Sequence, residues 1–212
     1  MPAVFLFDLD GTLIDSIELI RLSYRHTLLH HGHGELAEDW LEGLGRPLTW
    51  QFGNFSTDPQ EVQRMIATYR EFNLAHYDRL VCEYPGTTRA LRSLVEAGGR
   101  LGIVTSKAST HARRGLACCG LESLFELVIG PEEVERPKPH PEGVLRALES
   151  MGATAGESVF VGDSPHDLRA GRDAGVRTAA ALWGPFSRAR LELEGPDRWL
   201  NQPREIADLV RW

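Results

Sequence analysis

The sequence predicts an α/β fold: a mostly parallel sheet with helices on both faces, interrupted near its start by an all-helical insert. Three observations predict it. From Tyr84 onward, short apolar runs alternate with amphipathic helical patterns, as expected of strands joined by crossover helices. Residues 16–80 carry helical spacing with no strand signal. The chain also opens directly on Val4-Phe5-Leu6-Phe7, a short aromatic and branched run that reads as a buried strand. These regimes divide the chain into a core of residues 1–15 and 81–212 and a helical domain of residues 16–80.

Each element has a local reason. Leu19, Ile20, Tyr24, Leu28 and Leu29 form one helical face up to about His30. His30, His31 and His33 are separated by glycine, which fixes no ligand geometry, so they read as a solvated turn. A short helix is expected over Asp39 to Leu44, then a Gly43–Pro47 loop. Asp58-Pro59-Gln60-Glu61 is a helix start: Asp58 can cap, Pro59 suits the first helical position and Glu61 can reach back. Beyond Pro85, the expected order is helix 88–97, strand 101–105, helix 110–119, strand 126–130, a helix opened by His140-Pro141-Glu142, strand 158–163, helix 167–174 and strand 177–182. The tail adds a short helix near 187–194, a weak strand near Trp199 and a last helix from Pro203. Trp40, Trp50 and Trp183 read as packing residues.

Bulk properties narrow the function. At 212 residues, 42% hydrophobic and 25% charged, the chain can bury one sizeable core or one core plus a small insert. The formal charge of −7 argues against nucleic acid as a partner, which calls for a strong basic field. No apolar run is long enough for a bilayer, and the first strand leaves no room for a signal peptide. Cys82, Cys118 and Cys119 suggest neither a disulfide framework nor a metal site, and a cytoplasmic location is expected. A monomer or a homodimer fits equally.

The chemistry collects at strand ends. Asp8 and Asp10 close the first strand, two apart, with Gly11 and Thr12 following. Paired carboxylates repel, so they make sense around a divalent cation, with one as nucleophile and the other as proton carrier. Gly11 permits a bend and a close approach of backbone N–H groups to an anion. The second strand ends in Thr105-Ser106-Lys107 and the third in Asp163. In a parallel sheet these ends share one edge, where ligands bind. Gly162-Asp163-Ser164-Pro165-His166-Asp167 adds two acids four apart; Asp163 can join Asp8 and Asp10 around Mg²⁺, with Asp167 behind it, acting through the second shell or a water. His166 reads as a surface residue of that motif. Lys138, stiffened between prolines just before a helix, can be aimed at a fixed anion. Arg136 and His140 read as flanking surface residues.

Asp8-Leu9-Asp10-Gly11-Thr12, the strand ending at Thr105, Lys138 in its Lys-Pro-x-Pro loop, and Gly162-Asp163 followed by Asp167 occur in this order. The set resembles the haloacid dehalogenase superfamily, specifically its large phosphohydrolase branch. More narrowly, Glu18-Leu19-Ile20, Arg70-Glu71-Phe72-Asn73 and Leu101–Thr105 are similar to that family's bacterial pyrophosphatases, alongside its phosphoglycolate phosphatases. The resemblance implies a Rossmann-like core with an inserted helical cap. It implies that Asp8 attacks phosphorus to form a phospho-aspartate, while Asp10 protonates the leaving group and then activates water. It places Mg²⁺ on Asp8, the Asp10 carbonyl and Asp163, and completes an electrostatic clamp with Lys138, the Thr105 hydroxyl and backbone N–H groups near Leu9, Gly11 and Ser106, with Thr12 also at the phosphate. Asp10 argues against a dehalogenase, whose leaving halide needs no proton. The expected substrate is a small phosphorylated metabolite: phosphoglycolate, pyrophosphate, a sugar phosphate or a nucleotide. Arg46, in its Gly-Arg-Pro loop, is a candidate for the substrate's far end. A sugar phosphomutase of the same family, or a non-enzymatic phospho-accepting domain, is the alternative.

Overall fold

The computed structural model describes residues 3–37 and 40–212. In chain order, β1 (Val4–Phe7) and the short β2 (Ile14–Asp15) precede three helices: α1 (Ile17–His30), α2 (Leu48–Gly53) and α3 (Pro59–Leu80). Then come β3 (Cys82–Glu83), α4 (Thr87–Glu96), β4 (Arg100–Val104), α5 (Ser109–Cys118), β5 (Leu127–Ile129), α6 (Glu142–Ser150), β6 (Ser158–Gly162), α7 (Pro165–Asp173), β7 (Arg177–Ala181), α8 (Arg188–Glu192) and β8 (Arg198–Leu200).

The main sheet has the order β5-β4-β1-β6-β7-β8, with every pairing parallel. Alternation along β1 explains its burial on both faces. Phe5 and Phe7 join Leu91 and Leu94 of α4, Leu116 of α5 and Ile206 near the C-terminus. Val4 and Leu6 join Val144 and Leu148 of α6 and Ala170 of α7 on the other side. Each fully buried phenylalanine contributes about 2–3 kcal/mol of transfer free energy. β1 is central, and the chain proceeds from it to neighbours on either side. That puts the carboxyl ends of β1, β4 and β6 together at a switch point of the sheet.

Among the described residues, the segment between β2 and β3 contributes no strand to the main sheet. Its helices share a cluster containing Ile20, Tyr24, Phe52, Met65, Ile66 and Tyr69, and the cluster continues into Leu168, Ala180 and Phe186 of the core. β2 and β3 pair with each other, Ile14 with Glu83 and Asp15 with Cys82, where the chain leaves the sheet region and returns to it. The pattern did not predict this two-residue ribbon, because two residues carry no periodicity.

Several expectations shift in detail. The helix expected from Asp39 is a 3₁₀ turn over Trp40–Gly43, and Asp39 itself lies outside the described residues. The last helix, from Pro203, is also 3₁₀. Asp58 caps α3 by accepting from the Gln60 N–H at 2.9 Å. Glu61 does not reach back; it bonds His31 Nδ1 at 2.5 Å and Arg64 at 2.6 Å. His31 is therefore held rather than solvated, its other nitrogen lying 3.0 Å from Thr68 Oγ1. Trp50 is 44% exposed, not a core residue, with the Arg46 guanidinium stacked 4.4 Å from its ring.

Candidate active site

The loop after β1 is built around one glycine. Gly11 adopts φ +88°, and a Cβ there would lie 2.6 Å from Asp163 Oδ2. Its N–H donates to Ile14 O at 2.9 Å, so it closes the turn rather than facing an anion. Thr12, fully buried, donates its hydroxyl to Asp163 Oδ1 at 2.5 Å. Its hydroxyl is thus committed to a carboxylate. Gly184 crowds Asp163 from the other side: a side chain there would collide with Asp163 Cβ. Neither Gly184 nor this crowding was visible in the sequence, because residues 163 and 184 belong to different elements.

Asp8, Asp163 and Asp167 are all buried and each presents an oxygen within 4.8 Å of the others. Lys138, itself buried, donates to Asp8 Oδ1 at 2.7 Å, Asp167 Oδ1 at 2.6 Å and the Val104 carbonyl at 3.1 Å. The other oxygen of Asp167 accepts from the Ser164 N–H at 2.9 Å and the Ser164 hydroxyl at 2.6 Å. Asp167 is therefore engaged on both oxygens, as a residue that orients Lys138 would be. Ser164 and Asp167 also cap the start of α7 reciprocally.

Burial pushes the Asp8 carboxyl up to about 7, moderated by Lys138. Burial, with the charges of Asp167 and Asp8, pushes Asp163 well above the usual carboxylate range. Lys138 stays an ammonium: burial lowers it, but Asp167 and Asp8 more than offset that. Three buried acids share this single ammonium, so ionising all of them requires further positive charge. A hard divalent cation with oxygen ligands meets that requirement, and the donor set fits Mg²⁺.

Asp10 stands apart from this trio. Its Oδ1 accepts from Ser16 at 2.5 Å, and Lys107 Nζ lies 2.9 and 3.1 Å from its two oxygens. Thr105, buried at the tip of β4, accepts from the Lys107 N–H at 3.2 Å. The Ser106 hydroxyl donates to Gly45 O at 2.5 Å, tying the core to the 43–47 loop. Leu9 is buried; its carbonyl accepts from the N–H groups of Leu13 and Ile14. His166 is half-buried against Gly45, not a surface residue, and burial with the Arg46 charge pushes its imidazole down to about 4. It is not among the clustered acids.

A cavity of about 380 Å³ opens above these groups. Asp8, Asp10, Thr105 and Asp163 line its floor, while Tyr24, Ile66 and Tyr69 line an apolar roof. Arg46 also lines the cavity. Arg70, Lys107 and His111, to which the sequence motifs assign no task, line it too. For Lys107 the available signal was its place beside a strand-terminal hydroxyl.

A family model described as haloacid dehalogenase-like hydrolase matches residues 5–181. The pyrophosphatase PpaX of Anoxybacillus flavithermus is 41% identical over 206 residues, covering 97% of this chain and 95% of that protein. The PpaX of Halalkalibacterium halodurans is 38% identical over the same length and coverage. A crystal structure of a protein from Bacteroides fragilis, described as a haloacid dehalogenase-like hydrolase, superposes with a TM-score of 0.90 at 26% identity. It covers 97% of this chain and 100% of its own.

Proposed function

The chain belongs to the haloacid dehalogenase-like hydrolases and is an enzyme of their phosphatase branch, and from that premise we propose that it is a Mg²⁺-dependent phosphohydrolase of the pyrophosphatase type. The substrate is a small metabolite carrying a phosphoryl group and a second anion, pyrophosphate first among them. The observation that carries this reading is the buried trio of Asp8, Asp163 and Asp167 gathered on Lys138. The similarity to two PpaX pyrophosphatases over nearly the whole chain supports the substrate.

Asp8 is the nucleophile. Its carboxylate oxygen attacks phosphorus and the leaving oxygen departs with a proton from Asp10; water, deprotonated by Asp10, then attacks the phospho-aspartate and restores Asp8. Lys138 and the Thr105 hydroxyl hold the equatorial oxygens of the transferring group. Asp8, the Asp10 carbonyl and Asp163 would hold Mg²⁺, with Asp167 behind Lys138; the ion supplies charge neutralisation at the phosphoryl oxygens. Thr12 and Gly11 set the place of Asp163. Residues 16–80 act as a cap whose apolar roof keeps water from the reacting atoms, with Asp15-Ser16 and Cys82–Pro85 as its hinges. Arg46 supplies a cation toward the far end of the substrate.

The test is a panel of pyrophosphate, phosphoglycolate, sugar phosphates and nucleotides, assayed for phosphate release with Mg²⁺ and with EDTA. Pyrophosphate is expected to lead, EDTA to abolish turnover and Asp8→Asn to leave none. Asp10→Asn is expected to lower kcat about 10²–10⁴-fold, the usual worth of a positioned acid–base group. Turnover that survives Asp8→Asn rejects the mechanism. A panel led by another compound rejects the substrate.

A further inference from the structure

One wall of the cavity concentrates positive charge. Arg70, projecting from α3, lines it and forms no ion pair among the described residues. His111, on the first turn of α5, is half-buried beside it; burial, Arg70 and Lys107 together hold its imidazole below the ordinary range. Lys107 is 13% exposed, lies 5.1 Å from the Tyr77 ring centroid, and has Asp10 as its anionic partner. Glu132, the other acid lining this part of the cavity, accepts from the Ser109 N–H at 3.2 Å and the Ser109 hydroxyl at 3.1 Å. Arg70 is exposed and Lys107 and His111 are partly buried, and these donors from separate elements converge on one cavity, where they offer a seat for an anion.

Its position identifies which anion. Asp10 links this wall to the reacting centre: its oxygens lie 2.9 and 3.1 Å from Lys107, and its charge acts on Asp8. A phosphorus over Asp8 with its leaving oxygen at Asp10 therefore extends the leaving group toward Lys107.

We propose that Arg70, Lys107 and His111 seat the second anionic group on the leaving side of the substrate, and that Lys107 takes this anion in exchange for Asp10. The proposal deepens the functional reading above and rests on it for the placement of the reacting phosphorus. In the present arrangement, the ammonium covers both oxygens of Asp10. A phosphoryl or carboxylate group arriving beside Arg70 competes for that ammonium. Once Lys107 moves, Asp10 keeps the Ser16 hydroxyl and frees an oxygen for the leaving group. A phosphomonoester with a neutral leaving group brings no competing anion and leaves Lys107 where it is. The charge of the substrate thus selects it twice, in binding and in releasing Asp10.

The probes are methylenediphosphonate, inorganic phosphate, pyrophosphate and p-nitrophenyl phosphate, all with Mg²⁺ in excess. By calorimetry, wild-type protein is expected to bind the diphosphonate at least about tenfold tighter than phosphate. Arg70→Gln is expected to cut that preference roughly tenfold or more, as the loss of a charge-assisted hydrogen bond implies. Because the ratio is read, a general loss of folded protein does not imitate the result. A preference that is missing in wild type, or that survives both Arg70→Gln and Lys107→Met, overturns the seat. In turnover, Lys107→Met should lower kcat/KM for pyrophosphate at least about tenfold more than for p-nitrophenyl phosphate, kcat falling as well as KM rising. Equal losses on the two substrates overturn the exchange. Failure of the reaction chemistry shows separately, as turnover retained by Asp8→Asn, and leaves the calorimetric comparison to decide the seat.

Discussion

Asp8 carries two demands that oppose each other. A nucleophile must be ionised, yet burial, with the charges of Asp167 and Asp10, favours its neutral form and lifts its carboxyl to about 7. Lys138 at 2.7 Å moderates the lift without removing it. This has a consequence for stability in the absence of divalent cation. A carboxyl whose folded-state pKa lies above its unfolded value of 3.8 binds more protons when folded. Its contribution to stability is present below pH 3.8 and is lost as pH rises toward about 7. Asp8→Asn does not titrate, so in EDTA its unfolding free energy should gain on the wild type across that interval. Urea denaturation of both proteins at several pH values measures the gap; a gap that stays flat or moves the other way refutes the assigned shift. Added Mg²⁺ is expected to stabilise the wild type more than the variant.

The packing of α3 on α5 leaves one polar atom without a partner. Tyr77, near the end of α3, is 1% exposed, and its hydroxyl has no hydrogen bond. The hydroxyl presses against Gly115 of α5, close enough that any side chain at 115 would collide with it. The ring is held between Lys107 at 5.1 Å and Arg114 at 5.6 Å, both favourable to its π face. Removing only the oxygen keeps the ring and its cations and eliminates an unsatisfied buried group. Tyr77→Phe should therefore leave stability unchanged or raise it by up to about 1–2 kcal/mol, read from chemical denaturation. A loss of more than about 1 kcal/mol would mean that the hydroxyl has a partner in solution. The helix itself was legible: Asp58 and Pro59 mark its start, and Val62, Met65, Ile66 and Tyr69 its buried stripe. The unpartnered oxygen was not, since it depends on a glycine 38 residues further along the chain.

At the scale of the whole molecule, polar contacts beside the shared apolar cluster also join the helical segment to the sheet edge. Ser106, past the tip of β4, donates to Gly45 O at 2.5 Å, and Gly45 also lies against Ser164 and His166. The same loop is braced from behind by Gln51 Nε2, which donates to Arg46 O at 2.6 Å, and Tyr24 in turn bonds Gln51. These contacts join the segment at residues 43–51 to the core at 105–106 and 164–166. Ser106→Ala removes one of them. Amide hydrogen exchange in residues 44–53 should then quicken about fivefold, the equivalent of one ordinary hydrogen bond, with the sheet strands unaffected. An unchanged rate would show that the loop is held by its apolar contacts alone.

The sequence by itself determined the α/β alternation, the first strand, the all-helical stretch before residue 81 and the identity of the acids and the lysine at the sheet edge. Those features are written in local periods and in spacings of two to five residues, which short-range sterics and burial convert directly into structure. Tertiary structure alone decided what each polar side chain touches. The Thr12 hydroxyl holds Asp163 and the Ser106 hydroxyl holds Gly45, while Lys107 and Arg70, which had no assigned task, line the cavity near Asp10. The Thr12–Asp163 bond spans 151 residues and the Lys107–Asp10 pair 97. A hydroxyl or an ammonium takes whichever partner the sheet order brings within about 3 Å, and no local pattern encodes that choice.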